Sequence, residues 1–156
     1  MRKSIIAILM TFCLSIMTYA QTPRDRATEL KEQAQSSLNQ KDYIKARYLF
    51  KKAYEAFATR ENYPQAIECG VQANALYVRE NFYKEGFELC RDMDQLIWAG
   101  EQNQKKVFYD LRFLVNKERL QMYTALKNPA QAKTQLNKLE ETANLAKNDS
   151  LTEVLL

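Results

Sequence analysis

The stretch that decides the fold is residues 43–57, which read YIKARYLFKKAYEAF. Apolar side chains recur in it every three or four residues, the spacing that places them along one face of an α-helix. They are Ala46, Leu49, Phe50, Ala53, Tyr54 and Phe57. We therefore predict an amphipathic helix that begins at Tyr43 and whose inner face lies in the core.

Short breaks in this periodicity divide the rest of the chain into further helices. Tyr63-Pro64 predicts a helix start, because proline is tolerated in a first turn and breaks a helix interior. The whole chain has only three Gly and three Pro, so strands bounded by turn residues have almost no place in it. The predicted class is all-α.

The other predicted helix boundaries depend on capping residues. The first helix is expected to begin at Thr22. Asn81 is expected to cap the fourth helix and Gly100 to end it. The fifth helix is expected from about 104 to 127, and Asn128 is expected to cap the sixth.

A pattern of small and large side chains recurs at the start of the second helix of each hairpin. A small residue lets two helices approach closely, and a larger one four positions later fills the space between hairpins. The three occurrences are Tyr43-x-x-Ala46-x-x-x-Phe50-x-x-Ala53, Tyr83-x-x-Gly86-x-x-x-Cys90-x-x-Met93 and Pro129-x-x-Ala132-x-x-x-Leu136-x-x-Leu139. Stacked antiparallel hairpins are therefore expected at about 22–61, 62–100 and 102–148, within a repeat domain of residues 21–149.

The pattern resembles the tetratricopeptide repeat, whose second helix carries aromatic residues and alanines at these positions. The first unit matches well and includes Ala34 at the small position of its first helix. Ala46 and Gly86 are 40 residues apart, and Gly86 and Ala132 are 46 apart, against about 34 in the regular repeat. Armadillo and HEAT-type repeats have such longer periods, so they stay open as alternatives. The resemblance implies a right-handed α-α superhelix.

The resemblance also implies a concave groove lined by the first helix of each hairpin. In the repeat register this groove presents Lys31, Gln35, Asn39, Val71, Arg79, Lys117, Gln121 and Thr124. Amides and cations of this kind suit an extended or helical peptide, because they pair with its backbone and acidic groups. Ordinary exposed helix residues are the alternative. The expected partner is a protein or a peptide.

Residues 1–20 have the pattern of a signal peptide. Arg2 and Lys3 precede an apolar run over residues 5–17, which is shorter than the roughly 20 residues that span a bilayer. Thr18 and Ala20 occupy the positions that a signal peptidase reads. Cleavage near Ala20 predicts export to the periplasm or the exterior, without stable membrane insertion of the mature chain. An uncleaved N-terminal anchor is the alternative.

The charge balance argues against a nucleic-acid partner. The leader holds two of the 23 Lys and Arg and none of the 19 Asp and Glu, so the mature chain has a net charge of about +2. Charges of both signs alternate along the predicted helices, whereas a nucleic-acid binder concentrates its cations on one face or arm.

The residues needed for common catalytic sites are missing. The chain has no histidine, and histidine is the commonest general base and the usual activator of serine and cysteine nucleophiles. It also has no glycine-rich phosphate loop and no CxxC pair. Glu140-Glu141 is a carboxylate pair, but solvated helix surface is the better interpretation of it. We predict no enzyme activity, no cofactor and no metal site.

Cys69 and Cys90 are the two cysteines of the predicted mature chain, in a compartment where disulfides persist. They are expected at similar heights on adjacent helices. A disulfide needs Cα atoms within about 7 Å, whereas packed helix axes are roughly 8–10 Å apart. A disulfide and two small buried thiols both stay open.

Two further features concern contacts beyond the repeats. Trp98, beside Gly100 at a predicted helix end, is a candidate contact for a partner or a further domain, and core packing is the alternative. Residues 150–153 form a capping box. Residues 150–156 are therefore expected to begin a further, truncated helix, or to form a short C-terminal stub.

Together these observations favour a non-catalytic, exported scaffold for protein–protein interactions. The leader, the long irregular units and the open tail are similar to the N-terminal region of exported repeat proteins of Bacteroidetes-type bacteria. That resemblance implies the sensory front of a membrane-anchored regulator. The alternative is a receptor that binds a small molecule or a glycan in the concave groove. Neither the partner nor the oligomeric state is defined by the sequence.

Overall fold

The computed structural model describes residues 25–154, and the side chains of residues 25–148. This part of the chain forms six helices and no strand, which confirms the predicted all-α class. The helices are α1 Arg26–Asn39, α2 Tyr43–Ala58, α3 Tyr63–Arg79, α4 Tyr83–Gln104, α5 Tyr109–Ala125 and α6 Pro129–Val154. The predicted leader, its cleavage site and the predicted cap Thr22 lie outside the described residues.

Successive helices pack against each other in chain order. The turns between them have only three or four residues, so each turn reverses the chain and neighbouring helices run antiparallel. Each helix packs on the next, and α3 also packs on α5. Within the described part, none of the helices combines the length and apolar character needed to cross a membrane.

Four of the turns between the described helices share one hydrogen-bonded structure. In each, a residue with positive φ donates its N–H to the carbonyl three residues earlier, and the next N–H donates to the carbonyl five residues earlier. This is the Schellman arrangement, which satisfies carbonyls that a helix end leaves free. The positive-φ residues of these four turns are Lys41, Glu61, Asn81 and Lys127.

The turn between α4 and α5 is built differently. Lys105 has a φ of 52°, but here a side chain supplies the acceptor, because the backbone N–H of Phe108 donates to Glu101 Oε1 at 2.9 Å. Glu101 lies in the last turn but one of α4, the helix that continues four residues beyond Gly100. The turn is therefore anchored by a buried carboxylate.

Gly100 lies inside α4 and does not end it, contrary to the prediction. A Cβ atom built on Gly100 would lie 2.8 Å from the ring of Phe108 and 3.0 Å from the ring of Tyr63. The glycine is needed for this close approach of two aromatic rings, and the helix continues because the packing on both sides supports it.

Three other predicted boundaries also differ from the structure. Asn81 is the positive-φ residue of its turn and does not cap α4, which agrees with the tolerance of asparagine for this conformation. Helix α5 begins at Tyr109, after the turn anchored by Glu101. Helix α6 passes through Ser150 without a break, because residues 144–149 contain no Gly or Pro to end it. The capping-box interpretation was therefore wrong.

The core is continuous from α1 to α5 and thins out at α6. Its largest fully buried side chains include Phe50 on α2, Tyr63 and Ile67 on α3, Met93 on α4 and Met122 on α5. The inner face predicted for α2 is buried at all six positions. The predicted face of α6 is buried only at Leu139, whereas Leu136 and Ala143 are exposed and Ala132 is half-buried.

Candidate functional site

An open groove of about 410 Å³ lies between α4, α5 and α6. We call it the α4–α6 groove. It combines charged, amide and apolar side chains from all three helices, and its residues are Asp94, Ile97, Trp98, Tyr109, Arg112, Asn116, Arg119, Lys138, Glu141, Thr142 and Leu145. A groove with a few converging polar groups on an apolar base is the usual form of a binding site.

Arg112 is held at one end of the groove by Glu101. The guanidinium donates from Nε to Glu101 Oε1 at 2.7 Å and from Nη2 to Glu101 Oε2. The same Oε1 accepts the Phe108 N–H at 2.9 Å. Glu101 is buried, whereas Arg112 is about half exposed. A two-pronged pair of this kind fixes the orientation of the guanidinium plane that faces the groove.

The environment of Glu101 keeps its carboxylate charged. Burial alone would raise the pKa of Glu101, but the hydrogen bonds from Arg112 and from the Phe108 backbone outweigh burial, and the pKa lies below its usual value. The pKa of Arg112 is raised in turn, chiefly by its hydrogen bond to Glu101. The pair is therefore ionised throughout the neutral range.

A second arginine is fixed in the middle of the groove. Arg119 on α5 donates from Nη2 to the backbone carbonyl of Cys90 at 3.0 Å and pairs with Asp94, both on α4. The side chain of Arg119 is largely buried, and that of Asp94 is about half exposed. The two arginines thus tie α5 to α4, and both line the groove.

The rim of the groove includes exposed apolar side chains. The side chain of Trp98 is 63% exposed and that of Leu145 is 45% exposed. An exposed tryptophan can lose much apolar area to a partner at a small cost in side-chain entropy, and tryptophan is enriched among residues that dominate binding energy. Trp98 therefore has the exposure that a contact beyond the core requires, and that contact stays a prediction.

The residues predicted for the concave groove lie on α1, α3 and α5, but several already have partners in the fold. Lys31 Nζ donates to Gln65 Oε1 at 2.8 Å and to Glu68 Oε2 at 2.7 Å, which links α1 to α3. Gln35 Nε2 donates to Asn39 Oδ1 at 3.1 Å along α1. Lys31 is thus tied to α3, whereas Gln35 and Asn39 pair with each other on α1.

The other residues predicted for the concave groove lie on α3 and α5. Val71 is half-buried against the core. The Arg79 guanidinium lies over the ring of Tyr43, 3.9 Å from its centroid, and so points towards α2. Lys117, Gln121 and Thr124 are exposed on α5. The structure therefore places the eight predicted residues on α1, α3 and α5, and their role in binding stays a prediction.

Both cysteines of the described chain are free thiols. Cys69 and Cys90 are fully buried and unbridged, so the disulfide alternative is wrong for this structure. Burial raises the pKa of Cys69 to about 11 and that of Cys90 to about 12. Thiols of this kind are packing residues of low reactivity.

Sequence reasoning missed the groove residues Arg112 and Arg119 and also Glu101, the buried partner of Arg112. Glu101 follows Met93 and Ile97 at intervals of four residues, so it belongs to the buried stripe of α4. Because the predicted helix ends at Gly100, Glu101 falls outside it and its buried position is not predicted. Residues 25–148 contain no group of three acidic or cysteine side chains arranged to hold a metal ion.

No protein-family model, no curated protein and no solved structure matches the chain.

Proposed function

We propose that the chain is a non-catalytic scaffold that binds a protein or peptide segment in the α4–α6 groove. The observation that carries this proposal is the position of Trp98, which is 63% exposed on the rim of a groove whose arginines are already held in place. A partner that covers Trp98 gains apolar contact area without a rearrangement of the charged residues.

The charges of the groove suit a partner with mixed polarity. Arg112 and Arg119 are paired with acids of α4, whereas Lys138 and Glu141 are exposed charges of opposite sign on α6. Neither sign dominates, so the groove favours a segment with an apolar anchor and a few hydrogen-bonding groups over a highly charged one. This is typical of peptide recognition by helical repeats.

The tetratricopeptide-like superhelix belongs to the same proposal. Its support is that α3 packs on both α2 and α5, that Lys31 links α1 to α3, and that four turns have one common structure. Repeated packing of this kind builds platforms of hairpins. Export through residues 1–20 and a role as the sensory front of a membrane-anchored regulator are further parts of the proposal.

A second candidate function is the binding of a glycan in the same groove. The exposed Trp98 ring next to Asn116, Lys138 and Glu141 favours it, because a sugar ring stacks on an aromatic face while its hydroxyls pair with polar groups. The open shape of the groove favours the peptide, since a small ligand is normally bound in a more enclosed site.

Trp98 is the only tryptophan of the chain, so its fluorescence reports on the groove alone. The test is affinity capture from the native envelope with the wild type and with Trp98→Ala, followed by titration of each purified captured protein. Leu126→Ala is the matched control, because it removes a large exposed apolar side chain, 46% exposed, from the turn between α5 and α6, outside this groove.

We expect binding to shift the Trp98 emission to the blue and the Trp98→Ala variant to bind about tenfold more weakly or worse, while Leu126→Ala binds as the wild type does. A captured protein that binds Trp98→Ala with unchanged affinity would disprove the proposal for this groove. Quenching of Trp98 by a member of a glycan panel, without any captured protein, would favour the second candidate.

A further inference from the structure

The outward face of α2 differs from the other helix surfaces in its charge and its exposed apolar residues. We call it the α2 basic face and define it by Lys41, Ile44, Lys45, Tyr48 and Lys51. Ile44, Tyr48 and Lys51 are three or four residues apart and follow one side of α2, Lys45 lies beside them, and Lys41 lies in the turn just before the helix. The opposite side of α2 is buried in the core.

Two large apolar side chains stand out on this face. Ile44 is 69% exposed and Tyr48 is 60% exposed. A single exposed apolar residue is ordinary, but these two are one helical turn apart and both line the same groove. Together they form a largely exposed apolar strip, with the Lys52 ammonium 6.0 Å from the centroid of the Tyr48 ring.

The lysines around the strip lack acidic partners. Lys41, Lys45 and Lys51 form no ion pair with any residue from 25 to 148, whereas Lys52 is paired with Glu55 at 2.8 Å. Residues 41–52 contain five cations and one acid, a net charge of about +4, which equals the formal charge of the entire chain. The acid is Asp42, whose side chain caps α2 by accepting the Lys45 N–H.

An open groove of about 390 Å³ runs beside the strip, between α2 and Tyr77 of α3. The guanidinium of Arg47 is fixed in its wall. It pairs with Glu80 and lies 4.9 Å from the ring centroid of Tyr77 and 5.1 Å from that of Phe82. Stacking on two rings holds this cation in one position.

We propose that the α2 basic face binds an acidic peptide segment that carries an aliphatic or aromatic residue between its carboxylates. The carboxylates pair with Lys41, Lys45 and Lys51, and the apolar residue enters the groove between Ile44, Tyr48 and Tyr77. Charge complementarity selects the acidic segment, because Lys41, Lys45 and Lys51 form no ion pair with an acid among residues 25–148.

The groove favours a peptide over an anionic membrane. A flat layer of lipid headgroups can pair with the lysines, but it leaves the groove beside Tyr77 unfilled. A peptide side chain fills that volume and contacts the charged face at the same time. None of the residues of this face lines the α4–α6 groove. The two proposed sites can therefore be tested independently.

The experiment selects ligands for this face from a random dodecapeptide library displayed on phage. The library is panned on the full chain and counter-selected on the double variant Lys45→Glu/Lys51→Glu. An enriched peptide is synthesised with a fluorescein label, and its dissociation constant is measured by fluorescence anisotropy. The matched control is Lys106→Glu/Lys133→Glu, the same change of charge at two exposed lysines outside the face.

We expect enriched peptides to combine several acidic residues with an apolar one. We also expect about tenfold or greater loss of affinity in the double variant, near-wild-type affinity in the control, and weaker binding at high salt. Ile44→Ser is expected to weaken binding while its charge is unchanged. Circular dichroism checks that each variant is folded.

Three results would overturn the proposal. The first is that no acidic peptide is enriched. The second is that enriched peptides bind Lys45→Glu/Lys51→Glu as well as the wild type. The third is that the protein sediments with phosphatidylglycerol vesicles, and the double variant does not, while no peptide binds, which assigns the face to a lipid surface.

Discussion

Asn74 on α3 donates a hydrogen bond of 2.9 Å from its side-chain nitrogen to Glu118 Oε2 on α5, and both side chains are buried. This bond links two helices that are not consecutive in the chain. Asn74 Oδ1 has no hydrogen-bond partner among the described residues. Burial raises the pKa of Glu118, and the Asn74 hydrogen bond and the charge of Lys117 oppose it only in part.

The Glu118 carboxyl group makes a pH-dependent contribution to stability. Because its folded pKa lies above its unfolded value, that contribution is fully present below the unfolded pKa and is lost as the pH rises through the folded pKa. Glu118→Gln keeps an acceptor for Asn74 and removes the buried charge. We expect the variant to be more stable than the wild type at about pH 7 and equally stable near pH 4.

Urea unfolding at the two pH values measures this difference. Glu140→Gln is the control, because Glu140 is exposed and forms no ion pair with a described residue. If Glu118→Gln were less stable than the wild type at neutral pH, the carboxylate would have a stabilising partner that the structure does not contain.

The Glu101 carboxylate is expected to behave in the opposite way. Its folded pKa is lowered by Arg112 and the Phe108 N–H, so its stabilisation is present above the unfolded pKa and is lost as the pH falls through the folded pKa. Because Arg112 is about half exposed, we expect Glu101→Gln to lower the free energy of unfolding at neutral pH by only about 1–2 kcal/mol.

The difference between Glu101→Gln and the wild type should shrink as the pH is lowered, again measured by urea unfolding. Glu88→Gln, at an exposed position of α4, serves as the control. A constant difference at every pH would mean that lost packing, not the lost charge pair, causes the destabilisation.

Gly100→Ala tests whether glycine is needed for close packing in α4. Alanine in a helix interior normally stabilises by about 1 kcal/mol over glycine. Here its Cβ would press on the rings of Phe108 and buried Tyr63, so we expect a net loss of about 1–3 kcal/mol. Gly70→Ala should cost less, because its nearest neighbour is the flexible Met93 thioether.

Chemical denaturation of both variants measures the losses, and Ala75→Gly at an exposed position of α3 calibrates the effect of helix propensity. Stabilisation of the Gly100→Ala variant would show that the two rings move aside at no cost.

The two buried thiols are expected to be unreactive in the folded protein. The pKa values of about 11 for Cys69 and about 12 for Cys90 leave almost no thiolate at about pH 8. In a Cys13→Ser background, we expect Ellman's reagent to label neither thiol in buffer and both in urea. Ser36→Cys, at an exposed position, supplies a reactive control. Absence of labelling in urea without reductant would indicate a disulfide.

The starts of several helices could be predicted because neighbouring residues decide them. Asp42 accepts the Lys45 N–H at 3.2 Å, Asn62 accepts the Gln65 N–H at 3.4 Å, and Asn128 accepts the Gln131 N–H at 3.2 Å. Such caps lie within three residues of the helix that they begin, so the sequence contains all the information. The prediction of α2 and its buried face was confirmed for the same reason.

The end of α4 and the candidate groove could not be predicted in this way. Whether Gly100 ends a helix depends on Tyr63, which lies 37 residues earlier in the chain. The role of Arg119 depends on Asp94 and the Cys90 carbonyl in another helix. The residue type of Trp98 and its place beside Gly100 are enough to make it a candidate contact. Its neighbours in the groove depend on packing between helices, which a single sequence does not specify.

The left-handed turn residues are positions at which the thermal stability of the protein can be changed by substitution. None of Lys41, Glu61, Asn81, Lys105 and Lys127 is a glycine, and a side chain with a Cβ pays about 1 kcal/mol of strain in this conformation. Glycine at Glu61, Lys105 or Lys127 would relieve that strain without altering the α4–α6 groove or the α2 basic face. The melting temperature can thus be tuned one turn at a time while both surfaces keep their chemistry.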